Sequence, residues 1–153
     1  LEHLWYRDSF GSDIDYELTN LTGLNYWPLT KRLRAGLRVE AEFASADGLL
    51  PQFATPDITL RGIPAMRYQG NHVAVAEAEI GWQLDDRWSL LAFVGAGRAA
   101  TELSDLDAAP SRVAKGGGFR YLIASRYGFE MGMDIARGPE DTVFYIQAGT
   151  AWR

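Results

Sequence analysis

The feature that most limits what this chain can become is a strict two-residue alternation. In "LRAGLRVEAEF", Ala35, Leu37, Val39, Ala41 and Phe43 alternate with Arg34, Gly36, Arg38, Glu40 and Glu42. Only an extended strand sends such a set to two opposite faces, one apolar and one charged. "HVAVAEAEIGWQL" repeats the pattern, with Ala74, Ala76, Ala78, Ile80, Trp82 and Leu84 on one face and Glu77, Glu79, Gly81 and Gln83 on the other. "DDR" then reads as a turn into "RWSLLAFVGAGRAA", closing a hairpin. Further on, "RYGFEMGMDIA" sets Phe129, Met131, Met133 and Ile135 against Glu130, Gly132 and Asp134, and "GPED" turns into a last strand, "TVFYIQAGTAWR".

Upstream, "SDIDYELTNLTGLNYWPL" sets Asp13, Asp15 and Glu17 against Ile14, Tyr16 and Leu18, with turn-forming Asn20 leaving the strand's length open. Counting the short "HLWYRDSF", about seven or eight strands are expected over one domain of 153 residues, and no 3.6-residue period argues for a helix. The chain is expected to be all-β. Two connections are too long for hairpin turns: residues 45–72, punctuated by proline, and the polar residues 101–112.

Alternation does not say which face meets water. A soluble sandwich or ligand-binding barrel would turn the apolar face inward, whereas an outer-membrane barrel would turn it to lipid and line a wet interior with the charges. Short connections alternating with long ones suit the membrane barrel. So do Trp5, Trp27, Trp82, Trp88 and Trp152, all near expected strand ends, where interfacial aromatic belts would lie. No run of about 18 apolar residues occurs, which removes a membrane-spanning helix and leaves a barrel open. A net charge of -5 speaks against a nucleic-acid partner. Without cysteine there is neither a disulfide nor a thiolate metal site. "LEHLWYRDSF" holds no basic segment followed by an apolar run, so no signal peptide is expected in it.

Readings as an enzyme or metal protein find little to rest on. His3 and His72 are far apart and have no acidic neighbours at ligand spacing. Glu77 and Glu79 stand about 7 Å apart on one strand face, which suits a wall or an ion pair better than hydrolytic carboxylates. "KGGGFR" lacks the strand, Lys-Ser/Thr and helix context of a phosphate loop, and neither histidine lies near a Gly-x-Ser-x-Gly turn. No catalysis, metal or cofactor is expected.

At "LRGIPAMRYQGNHVAVAEAEIGWQL" the sequence resembles the bacterial surface antigen superfamily, the BamA/TamA-like outer-membrane barrels that insert or secrete other proteins. In that family a long loop between two strands folds back into the barrel and carries a Val-Arg-Gly-aromatic motif. The matching residues are Leu60, Arg61, Gly62 and Ile63, with Ile63 in the place of the aromatic and Tyr68 a nearby ring. The resemblance implies that an acid on the following strand holds the arginine, Glu79 first and Glu77 as the fallback. A second family acid lies in a Phe-x-Asp-x-Gly segment; "FVGAG" has Gly95 at that place, which leaves Glu79 as the main implied partner. "GGGFRYL" matches a glycine-rich strand opening, and "MGMDIA" a late strand with an internal acid, Asp134, in the lumen. "FYIQAGTAW" resembles the terminal strand, with Phe144, Ile146, Gly149 and the closing aromatic Trp152, here followed by Arg153.

For the whole, the resemblance implies an antiparallel transmembrane β-barrel of the bacterial outer membrane, with this chain supplying the C-terminal half of a sixteen-stranded barrel. Size points the same way: an inward loop over residues 45–72 cannot fit an eight-stranded barrel, which side chains fill, while about sixteen strands leave a channel. The rest of the wall would come from an N-terminal half or a second copy, because open edges in lipid leave backbone groups unsatisfied. The implied partners are the lipid bilayer and a client or passenger polypeptide, inserted into the membrane or moved across it. The Arg61 loop would brace the lumen, and the first and last strands would meet at a weak seam. The runner-up is a barrel, soluble or membrane-bound, that holds a small apolar ligand in its interior.

Overall fold

The computed structural model describes residues 2–6, 15–46, 50–124 and 129–148. Eight strands follow one another in a single antiparallel meander: β1 (Glu2–Tyr6), β2 (Tyr16–Pro28), β3 (Leu33–Ala46), β4 (His72–Gln83), β5 (Trp88–Ala100), β6 (Arg112–Ala124), β7 (Phe129–Arg137) and β8 (Thr142–Ala148). Each strand pairs only with its sequence neighbours, so β1 and β8 are free edges and the sheet is not closed into a barrel among the described residues. Ser45 and Ala46 belong to β3 and His72 opens β4, so the long connection is residues 47–71 rather than 45–72.

β2 runs unbroken through Asn20. Its amide donates across the sheet to Glu42 at 2.6 Å and Glu40 at 3.3 Å, so the side chain that could have started a turn is engaged with the neighbouring strand. At one end of the sheet the connections are tight, at residues 29–32 and 84–87. The second is pinned by the Asp85 carboxylate, which accepts the backbone N–H groups of Arg87 and Trp88, both at 2.8 Å. Those two bonds hold the Asp85 carboxyl below its ordinary range. At the other end lie the long segments 47–71 and 101–111 and the short 138–141 turn, with three-residue 3-10 turns at Gln52–Ala54 and Leu103–Asp105.

The long β3–β4 connection folds back over one face of the sheet. Its legs bridge each other at Asp57 and Gln69, with Ile58 N–H donating to the Tyr68 carbonyl at 3.0 Å. Ile58, Leu60 and Ile63 from this loop pack with Val73 and Val75 of β4 and Ala114 of β6 into the larger apolar cluster. Room for the loop is made on β5. A Cβ at Gly95 would lie 2.5 Å from a Leu60 methyl, and one at Gly97 2.5 Å from an Ile58 methyl.

Arg61 of the loop reaches side chains on β4 and β7 together. On a flat sheet these strands would stand about 14 Å apart, so the sheet curls around the loop. The faces divide sharply. Under the loop, Glu77 and Asp134 are each 1% exposed, while on the opposite face Val94 is 50% and Ile146 79% exposed. The same outer rows carry Ile80, Trp82, Leu90, Met133, Ile135 and Phe144 in the open.

Candidate functional site

The strongest concentration of chemistry is where the loop tip meets the charged rows of the sheet. The pleat places Glu77 and Glu79 on the same side of β4, two residues apart, and both are buried beneath the loop. Arg61 lies across them. Its Nε and Nη2 donate to Glu77 Oε1 at 3.0 and 2.6 Å, and Nη2 stands 2.9 Å from Glu79 Oε2. Nη1 faces Asp134 Oδ2 on β7 at 3.6 Å. A guanidinium fork is suited to this, because it meets several carboxylate oxygens in one plane and keeps its charge when dehydrated.

The plane also stacks. The guanidinium carbon lies 3.5 Å from the centre of the Phe93 ring on β5, a cation–π contact in which burial strengthens the attraction. The ring near the arginine is therefore Phe93, not Tyr68. Tyr68 sits at the loop's outer edge, where its hydroxyl donates to Glu140 at 2.8 Å and its face lies under Arg112, 4.4 Å away.

The order of the two acids differs from that implied by the resemblance. Glu77 accepts both directed hydrogen bonds from Arg61, whereas Glu79 Oε2 is close but finds no hydrogen-bond geometry. Cross-strand register explains the difference. Glu77 faces Gly95 on β5, next to the row of Phe93, and Gly95 leaves space that Leu60 fills. A carboxylate at position 95 would collide with Leu60, so the clamp takes its further acid from β7 instead.

That acid, Asp134, is itself held. Arg120 of β6 donates from Nη1 and Nη2 to its two oxygens at 2.6 and 2.9 Å, a paired fork-to-carboxylate contact with both side chains buried. Arg120 also reaches Gln147 of β8 at 3.4 Å. Arg61, Arg120, Glu77, Glu79 and Asp134 thus form one connected group spanning β4, β6 and β7. Around it the backbone is fixed as well. Gly62 N–H donates to the Tyr145 hydroxyl at 2.8 Å, and Gly62 takes φ of 92° within 3 Å of Gly138 by its would-be Cβ contact. Few residues other than glycine tolerate that φ.

Two further ties fasten the loop. Thr59 donates to Glu40 of β3 at 2.8 Å while its carbonyl accepts from Arg38. At the rim, Arg67 makes a two-pronged contact to Glu140, with Nη2 to Oε1 at 2.7 Å and Nε to Oε2 at 2.9 Å. Hydrogen bonds from Arg67 and then Tyr68 hold the Glu140 carboxyl below its ordinary range.

Of the remaining expected site residues, Leu60 and Ile63 are buried in the apolar cluster, and Phe144 and Ile146 stand exposed on the outer face. Gly149 and Trp152, like Asp13 and Ile14, lie outside the described residues. Phe93, Arg120, Tyr145 and Glu140 were not picked out from sequence. Arg120 and Asp134 had one readable sign: a basic and an acidic residue on the inward rows of consecutive strands. No nucleophile with an adjacent base is present in this group, and among the described residues no cluster of three or more His, Asp or Glu is arranged to hold a metal ion. What the arrangement can do is hold a loop against the sheet. Compared with known protein families and with curated proteins, the chain matches none.

Proposed function

We propose that this chain is part of the wall of a transmembrane β-barrel in the bacterial outer membrane, with the Arg61 loop as an internal brace. The observation that carries the reading is the inversion of the two faces: charges are buried under the loop, and large apolar side chains stand exposed on the other side. In water such an apolar face would be a liability, while in lipid it is what a spanning strand presents. The tight turns at one end and long segments at the other match the short periplasmic and long external connections of outer-membrane barrels.

A curled but open sheet supports the further step that more strands complete the wall. Backbone groups along β1 and β8 would otherwise face hydrocarbon unpaired, at several kcal/mol each. The missing strands come from an N-terminal half or a second copy. A loop filling the inner face also needs the wider interior of about sixteen strands. On this reading the protein works by binding and opening, not by chemistry: it assists insertion of other proteins into the outer membrane or their passage across it, consistent with the resemblance to the BamA/TamA-like barrels, which runs from about residue 31 to the end. A small-ligand pocket has less behind it, because the inner face is charged and covered by the loop.

The test has two levels. Carbonate-washed membranes should retain the protein, and it should migrate differently on gels before and after heating; recovery in the soluble fraction without detergent would sink the membrane reading. For assembly, vesicles containing the protein should speed the folding of a second, unfolded outer-membrane barrel. An unchanged rate relative to empty vesicles would refute that role.

A further inference from the structure

The tight-turn end of the outer face carries a feature that loop bracing does not use. Leu33, Trp82 and Leu90 stand around a trough floored by Ala92 and bordered by Ile80, with a volume of about 610 Å³. It exists because β5 places an alanine where its neighbours on the outer row are larger. The trough continues past Ile80 and Ala92 into a second lobe of about 560 Å³ over Ala78 and Val94.

At its mouth is the β2–β3 hairpin. Arg32 lines the trough and, around the hairpin tip, also a smaller polar cleft of about 250 Å³ on the inner face, where Arg34 lies over Gly81 beside Ser89 and Glu130. Lys31 and Arg32, with no acid among residues 29–32, make the hairpin tip beside the trough electropositive. The side chains of Lys31 and Arg32 make no hydrogen bond or ion pair among the described residues, whereas the arginines of the loop site are all engaged. Trp27 and Trp82 stand exposed at the same level, the depth at which aromatic residues mark a membrane–water boundary.

We propose that the hairpin and trough form a binding site for an anionic glycerophospholipid, with the headgroup phosphate at Lys31 and Arg32 and an acyl chain lying in the trough. The inference rests on the membrane reading above. Charge complementarity selects the headgroup, because a cation near an anionic leaflet gains roughly 1 kcal/mol, equivalent to about a fivefold preference. The adjoining apolar channel selects a lipid over a free phosphate. Guanidinium groups suit phosphate because they meet two of its oxygens at once.

Tryptophan quenching by brominated lipids tests this. The protein is reconstituted in phosphatidylcholine vesicles containing a minor fraction of either brominated phosphatidylglycerol or brominated phosphatidylcholine, and Trp82→Phe identifies the share of quenching that belongs to the trough. That share should be several-fold greater with the anionic lipid, and the preference should vanish in Lys31→Gln/Arg32→Gln while quenching by the neutral lipid persists. Equal quenching of Trp82 by both lipids in the unaltered protein would overturn the site and leave the membrane reading standing. Quenching by neither lipid would overturn both. The two substitutions are exposed turn residues, and heat-modifiable migration of the variant shows that it has folded.

Discussion

The arginine clamp predicts an order of mutational effects that a simple one-to-one pair would not. Three carboxylates, Glu77, Glu79 and Asp134, face two guanidiniums, Arg61 and Arg120, so the group holds one negative charge in excess. Arg61→Ala leaves Glu77 and Glu79 buried side by side with no cation between them. Stranding buried charge by removing its partner costs about 3–5 kcal/mol, and loss of the Phe93 stack adds to it. Glu77→Gln keeps the shape but turns two charge-assisted bonds into weaker neutral ones, for a loss of about 2 kcal/mol. Glu79→Gln is different: it receives no directed bond from Arg61, and its removal leaves the group's charges balanced, so its loss should be under about 1 kcal/mol. Urea unfolding in detergent micelles or vesicles, followed by tryptophan fluorescence, measures all three, and protease cleavage within residues 50–71 reports release of the loop itself. Arg61→Ala combined with Glu77→Ala should show coupling of about 2 kcal/mol. If Glu79→Gln cost more than Glu77→Gln, or if the double variant were additive within about 0.5 kcal/mol, the assignment of Glu77 as the principal partner would be wrong.

Gly62→Ala should destabilise by about 1–3 kcal/mol in the same titration, because its φ of 92° is strained for alanine and a Cβ would press within 3.0 Å of the Gly138 nitrogen. At the rim, Glu140 has a folded-state pKa depressed below its ordinary 4.5, so the Arg67 latch contributes fully above that value and is lost as pH falls through the lowered one. Proteolysis near residues 64–69 should therefore rise only in acid, and Glu140→Gln should give a raised, pH-independent rate. Val94→Arg places a charge in the middle of the exposed apolar face; in a bilayer it should cost about 2–4 kcal/mol, and an effect near zero would place that face in water.

How far all this could be read beforehand depended on what kind of information each feature carries. The strands were legible because alternation is a local property: Ala74 to Gln83 needs no partner to show its two faces. Asn20 left the length of β2 open, because a residue that favours turns in isolation is here engaged by Glu40 and Glu42, which lie on the next strand. The faces of Phe93 and Gly95 were legible too, but not their work. Phe93 shares its row with Leu91, and nothing along the chain distinguishes an aromatic that stacks on a cation from one that fills a core. Gly95 read as a missing acid, yet its lack of a side chain is what admits Leu60 and so seats the loop.

The partners of Arg61 could likewise be narrowed but not ordered along the chain. Glu77 and Glu79 are equivalent by pleat, since both point inward two residues apart, and they are told apart only by cross-strand register, Glu77 opposite Gly95 and Glu79 opposite Phe93, in a sheet that curls. That curl brings β7 toward β4, so Asp134, with Arg120 behind it, closes the third side of the guanidinium. An arginine held from β4 alone could swing out with its loop. One held from β4 and β7 at once ties the curvature of the sheet to the position of the loop, and a sheet that opened along its edges would have to break the clamp or carry β4 and β7 together as one body. β8 belongs to that body as well, through Tyr145, whose hydroxyl accepts from Gly62 N–H, and Gln147, which accepts from Arg120.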